Sequence, residues 1–321
     1  MDNEKVERLI EVSKAYYLEN RTQSEIAKSL GVTRSQVSRD LKEARERGIV
    51  EININIPGQE SEALARTIKR RFPHLAEAIV APSFTTDPEA SRAIAGRYAA
   101  NYLMRSVRPH QKIVLGCGRT LRSMVNALQR TEIPGISVLQ AMGNLGHEAH
   151  GIDYNEICST AANAFGAKAF YISSPAILGE KSGPASDLIQ ANPTIETVLS
   201  LAHRADVYVI GLGSLESDLV YTKVGMIQER ELIALADRAV GDICGRFFDI
   251  DGREQPTSFA GRIVGIELDD LRQAGLSIAV ATGVDKVAPI LGALRGKWIN
   301  VLVTDENTAR SLVAISSRNG H

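Results

Sequence analysis

The stretch TQSEIAKSLGVTRSQVSRDLKEARERGIVEININI, Thr22–Ile56, decides how the chain begins. Thr22 precedes Glu25 by three residues and Thr33 precedes Gln36 by three, the spacing at which a capping box closes a helix N-terminus. The first of these helices turns Ile26, Ala27 and Leu30 to one side and stops at Gly31; the second stops at Gly48. Residues 49–56 then alternate apolar and polar, the period of a half-buried strand. Upstream, VERLIEVSKAYYLE sets Val6, Leu9, Ile10, Ser13 and Tyr17 at helical spacing. Three short helices and a strand, with a Gly-Val turn between the second and third helices, predict a winged helix-turn-helix over residues 1–56.

The second capped helix is the one that would enter a DNA groove. At 100° per residue Val37, Leu41 and Ala44 share a face, which must be the buried one. Ser35, Arg39, Lys42 and Glu46 lie opposite, flanked by Gln36 and Ser38. A recognition helix offers its N-terminal residues to base edges, so Ser35, Gln36 and Arg39 are the expected base contacts, with Ser38 beside them; Arg is the usual partner of guanine O6 and N7. Arg34 and Lys42, with Thr22, Gln23 and Thr33 at the helix starts, are placed for phosphates. Charge agrees modestly: from Arg21 to Arg47 there are seven Lys/Arg against four Asp/Glu.

The whole chain of 321 residues has a net charge of −1, 44% hydrophobic and 23% charged residues, which excludes a global field that draws the molecule to nucleic acid. Three cysteines with no CxxC pair predict a reducing cytoplasm and no zinc site. A charged start, MDNEKVERLI, and the lack of any long apolar run predict neither a signal peptide nor a membrane span.

After Pro57-Gly58, ESEALARTIKRRF reads as a linker helix over 57–74, with Leu64, Ile68 and Phe72 on one side. From 75 to 321 short apolar runs alternate with helical segments. Strands are expected at EAIVAP, KIVLGC, ISVLQAM, AKAFYIS, DVYVIGLG, LSIAVAT and WINVLVT, and helices over 88–106, 119–130, 153–166, 193–204, 228–238, 284–295 and 305–315. This alternation predicts an α/β domain with a mostly parallel sheet covered on both faces.

In such sheets ligands bind beyond the strands' carboxyl ends. After KIVLG come Cys117-Gly118-Arg119-Thr120, a glycine-spaced turn opening a helix, where backbone N–H groups and the Thr120 hydroxyl meet an anion. Gln140 and Asn144 follow the third strand and suit sugar hydroxyls. Ser174, Ser214 and Lys286 stand at other strand ends, and Asp242 precedes a hairpin expected at Asp251-Gly252. Neither GxxxxGK[ST] nor a dinucleotide fingerprint is present, which leaves a small phosphorylated metabolite, a sugar or a polyol rather than a cofactor. His147 and His150 lack the spacing and third ligand of a metal site. Cys117 at a helix start could be nucleophilic, but no partner His is near in sequence, and a small residue in a tight loop is the simpler role.

With these residues in view the chain resembles the SorC family of bacterial sugar-binding transcriptional regulators, which includes deoxyribonucleoside and central glycolytic gene regulators. The likeness is carried by Thr22–Ile52, GCGRTL, VLQAMGNLG, ADVYVIGLGS, AVGDICGRFFDIDGRE and ALRGKWINVLVTDENTARSLV, in the family's order. It implies operator DNA and a small effector as partners, a homo-oligomer (dimer or tetramer), and an effector domain similar to glucosamine-6-phosphate deaminase and ribose-5-phosphate isomerase. It implies that Gly116, Gly118, Arg119 and Thr120 cradle the effector's phosphate or its equivalent, and that Gln140, Asp242 and Lys286 line the pocket. Cys117 stands where relatives often have Trp, and Asn144 and Thr282 where they often have Gly, so the ligand is expected to differ. The alternative is an isomerase or deaminase-like enzyme on the same fold, with Asp242 and Lys286 moving a proton; a DNA-reading module gives such an enzyme nothing, and the loops hold no dense cluster of acids and histidines.

Overall fold

The computed structural model describes residues 2–50, 59–146, 153–215 and 220–316. Most of the expected wing strand (51–56) and the two histidines, His147 and His150, lie outside the described residues. The chain divides into two compact units, Met1–Pro57 and Gly58–His321.

In the first unit α1 (Asp2–Tyr17), α2 (Gln23–Leu30) and α3 (Arg34–Glu46) close on Val12, Ala15, Ile26, Ala27, Val37 and Leu41. The Thr22–Glu25 capping box forms in full, and Gly31 ends α2 in the left-handed conformation at φ 66°, which glycine adopts without penalty. The second box forms only by half. Thr33 accepts from the Gln36 N–H, but the Gln36 amide turns away to Asp40 and Arg39, because a buried carboxylate competes for it. Ile10, expected on the inner face of α1, is 36% exposed; Val12 and Ala15 fill that face instead, since α1 presents its 9–12–13 side to α3.

The second unit opens with α4 (Gln59–Arg71), β1 (Glu77–Ala81) and α5 (Pro88–Ser106). It continues through β2 (Lys112–Leu115), α6 (Arg119–Asn126), β3 (Ser137–Gln140), α7 (Tyr154–Phe165) and β4 (Lys168–Phe170). Next come α8 (Ala185–Ala191), α9 (Pro193–Ala202), β5 (Val207–Ile210), β6 (Gly213–Ser214), α10 (Val220–Lys223), α11 (Glu229–Ile233), β7 (Gly241–Ile243) and β8 (Arg246–Phe248). The unit ends with α12 (Leu268–Gln273), β9 (Leu276–Val280), α13 (Val287–Arg295), β10 (Val301–Asp305) and α14 (Glu306–Ser316).

All seven expected strands join one parallel sheet in the order β1-β10-β9-β5-β2-β3-β4. Its central strands are buried on both faces, which is why they read as continuous apolar runs. From β2 the chain winds one way, to β3 and β4; from β5 it winds the other, to β9. The order reverses between β2 and β5, and a crevice opens at such a switch point.

Helix α4, read from the sequence as a linker, belongs to the second unit. Ile68 is buried in its core, and Ser61 donates to Glu306 at the start of α14. A three-stranded antiparallel sheet, β6-β7-β8, was not expected. Its tight turn is Cys244-Gly245, with φ 51° and 81°, the two positive values of a primed hairpin turn. A second reversal follows at Asp251-Gly252, where Phe248 pairs with Glu254, so the stretch folds back twice rather than once.

Candidate functional site

On α3, Arg34, Ser35, Ser38, Arg39 and Lys42 are exposed, and Gln36 is half-buried. They are carried by a helix whose other face is fixed by Val37, Leu41 and Ala44. Lys42 pairs loosely with Glu46 at 3.6 Å, a contact worth a few tenths of a kcal/mol that a phosphate would displace. Arg34 joins Arg21, Thr22, Gln23 and Tyr17 around a cleft of about 550 Å³ at the start of α2. The Thr22 backbone and hydroxyl hold the Glu25 carboxyl below its usual range. That face can therefore present cations and a helix N-terminus together, the chemistry of a phosphate contact.

In the second unit the GCGRT turn sits at the switch point. The Gly116 N–H bonds Val209 O at 2.8 Å across β2 and β5, and a Cβ on Gly116 would press Leu121 and the Ile210 backbone at 3.3 and 3.4 Å. Thr120 is in the first turn of α6, which no side chain caps. Arg119 is exposed, and its charge reaches Glu89 on α5. Cys117 is not an activated thiol: burial pushes it up to about 12.

Gln140 is fully buried with its amide engaged. Its Nε2 donates to Asn155 Oδ1 at 2.9 Å and to Asn144 Oδ1 at 3.4 Å, and its Oε1 accepts from the Ile172 N–H at 2.7 Å. Expected as a ligand contact, it is buried and holds two asparagines through its amide. Asn155, exposed at the start of α7, was missed from the sequence; only its place just after a helix cap, Asp153, hinted at it. Tyr154 ties the ends of β2 and β3 by bonding Leu115 O and the Ala141 N–H.

Asp242 arrives from the small sheet. Gly213 of β6 pairs with it in register, and only a glycine fits there, because a Cβ would lie 1.7 Å from Asp242 Oδ1. The buried carboxylate accepts from Tyr221 Oη at 3.0 Å and from the Gly245 N–H at 2.9 Å. Burial pushes its pKa up, while these two donors and the nearby Lys286 charge work against the rise. Tyr221 is the other residue missed by sequence reasoning. Lys286 lies on a single 3-10 turn before α13 and pairs with Asp285 at 3.1 Å.

The Lys286 turn is anchored from behind. The Gly283 N–H donates to Asp305 Oδ2 and Thr308 Oγ1 at 3.1 and 2.9 Å. The next residue, Glu306, accepts from Ser61 of α4 and from the Ser83 N–H. Two bonded steps thus connect the crevice to α4. Among the described residues no group of three ligand-type side chains could hold a metal, and no helix is long and apolar enough to cross a membrane.

Comparison with known proteins bears on both units. Residues 57–314 match the family described as "Putative sugar-binding domain", and residues 8–47 match sigma-70 region 4. The chain is similar to the deoxyribonucleoside regulator of Bacillus subtilis, 32% identical over 98% of this chain and 99% of the relative. It is equally similar to the sorbitol operon regulator of Klebsiella pneumoniae, at 32% over 97% and 99%. The crystal structure of that full-length regulator, SorC, superposes with a TM-score of 0.79 over 96% of this chain and 98% of its own. These relatives are named as regulators, not as enzymes. The chain belongs to the SorC family of sugar-binding transcriptional regulators.

Proposed function

We propose that the protein controls a carbohydrate operon in the cytoplasm by binding its operator through α3 and a small sugar, polyol or sugar phosphate at the β2/β5 crevice. The observation that carries this is the glycine-spaced GCGRT turn at the switch point, in a unit where Asp242 lies near Lys286, on a chain that also carries a helix-turn-helix. Thr120 and the open first turn of α6 receive the anionic or most polar end of the effector. Asn144 and Asn155, held by Gln140, bond its hydroxyls, and Lys286 closes the opposite side. Gly116, Cys117, Gly118 and Arg119 shape the turn.

Operators read by helix-turn-helix proteins have paired half-sites, which calls for a dimer or tetramer. The effector acts by differential affinity for two arrangements of the protein. The Gly283–Asp305 and Glu306–Ser61 contacts give a shift of the Lys286 turn a way to reach α4. The test is fluorescence anisotropy of the full chain on DNA from its own operon, titrated with sugars, polyols and their phosphates. A member of this panel should change DNA affinity severalfold at concentrations that also raise the thermal midpoint. A panel that does neither would count against the crevice as a sensor.

A further inference from the structure

Asp40 lies on the inner side of α3 with its side chain 1% exposed, among Val37, Leu41 and Ala44. Packing alone would be served better there by an apolar residue, because a buried carboxylate must find partners that offset its lost hydration. It has two. Arg8 of α1 approaches with Nη2 at 3.2 Å from Oδ1 and Nε at 3.1 Å from Oδ2, and Gln36 donates Nε2 to Oδ1 at 2.8 Å.

The second contact fixes more than Asp40. A carboxylate only accepts, so the Gln36 amide must turn its nitrogen inward, and its oxygen then faces the other way. That oxygen accepts from Arg39 Nη2 at 2.7 Å, and a guanidinium only donates. The three residues sit at i, i+3 and i+4, neighbours on one side of a helix. The order Arg8–Asp40–Gln36–Arg39 is therefore dictated by donor and acceptor chemistry and runs from α1, through the core, to the exposed face.

We infer that Asp40 and Gln36 are positioning residues that pre-set the Arg39 guanidinium for one guanine of the operator. Bidentate reading of guanine O6 and N7 needs the planar fork presented edge-on, and a side chain held before binding loses less freedom when it binds. Reading adenine would require the Gln36 oxygen and nitrogen turned together to one base, whereas here each is committed to a neighbour. Between these two, Arg39 is the reader and Gln36 its support. The inference rests on α3 being the recognition helix.

The test uses the full chain and selection from a randomised double-stranded DNA library, followed by competition with single base-pair changes in the selected site. The wild-type protein should select a G·C pair in each half-site, and Arg39→Ala should lose preference for it. Gln36→Met and Asp40→Asn should lower preference at that same pair about tenfold while leaving affinity for random duplex unchanged. Gln36→Met in the Arg39→Ala background should add nothing. Asp40→Asn leaves Arg8 without its partner in the core; Gln36→Met, at a half-buried surface position, carries the test if that variant fails to fold. The inference is overturned if Gln36→Met alters a different base pair or none, or if specific and random binding fall in parallel. If Arg39→Ala leaves the selected site unchanged, α3 itself is not the reader, and the inference falls with it.

Discussion

The exposed face of α3 and the crevice of the α/β unit use polar side chains in opposite ways. On α3 they are exposed and borrow order from one another above a small apolar core. At the crevice the side chains that looked most like ligand contacts, Gln140 and Asp242, are 0% and 3% exposed and already hydrogen-bonded. A contact face can lose a side chain and keep its shape. A crevice built on buried amides and carboxylates loses its shape first. Mutations in the two regions should therefore separate by whether stability moves with function.

The largest effect is expected at Gln140. Gln140→Leu removes three bonds, strands the buried Ile172 N–H and frees Asn144 and Asn155, a loss of about 3 kcal/mol given typical costs for unsatisfied buried groups. Urea unfolding should show the lower midpoint, and the effector response should disappear with it. An unchanged midpoint would mean that Gln140 is not the post the crevice is built on.

Arg39→Ala is the counter-case. Operator affinity should fall by about 1–3 kcal/mol, the worth of a bidentate base contact, with stability within about 0.5 kcal/mol of wild type, as for other surface substitutions. Anisotropy and thermal unfolding on one preparation check both halves. Equal losses in both would erase the contrast between the regions.

The contrast also explains what was legible in the sequence. The seven strands of the large sheet were, because a strand buried on both faces is a continuous apolar run such as Val207–Ile210. Their carboxyl ends, and with them Thr120, Gln140 and Lys286, followed from the fold class. What failed depended on partners far along the chain. Asp40 looks like one more solvated charge on a charged helix until Arg8, 32 residues away, is seen to meet it. Tyr221 earns its place only through Asp242, and Asn155 only through Gln140. The β6 strand, Gly213–Ser214, is too short to carry a period. The bonds of Gln140 were out of reach for the same reason: strand-end position shows where a side chain is, and only its partners show what it holds.

Smaller effects are expected at the crevice rim. Thr120→Ala and Lys286→Ala should each weaken the effector response about tenfold, near the upper end for one hydrogen bond or the lower end for a charged one. DNA binding without effector should be spared. Glu306→Gln should keep effector binding, measured by calorimetry, and reduce its influence on DNA affinity by weakening the hold on Ser61 of α4. An unaltered response in all three would place the sensing site elsewhere.

The smallest effect is a pH dependence at the end of α9. His203, at the end of α9, has its Nδ1 2.7 Å from Asp270 Oδ2, and Asp270 also accepts from the Glu267 N–H to cap α12. The bond to Asp270 raises the His203 pKa above its ordinary value, against the opposing effect of burial, with the Asp270 and Glu267 charges adding to the rise. A group whose folded-state pKa is raised contributes stability that is complete below its unfolded value, near 6.5, and is lost as pH rises through the folded value. The thermal midpoint should therefore decline slightly from pH 6 upward through about neutral pH (His titrates over this range), and His203→Gln should flatten that decline. With the His203 side chain 36% exposed, solvent screens the pair and keeps the effect small. Operator binding by α3 should not follow the same pH course, because His203 and Asp270 belong to the other unit; a matching course would mean that the two units do not fail independently.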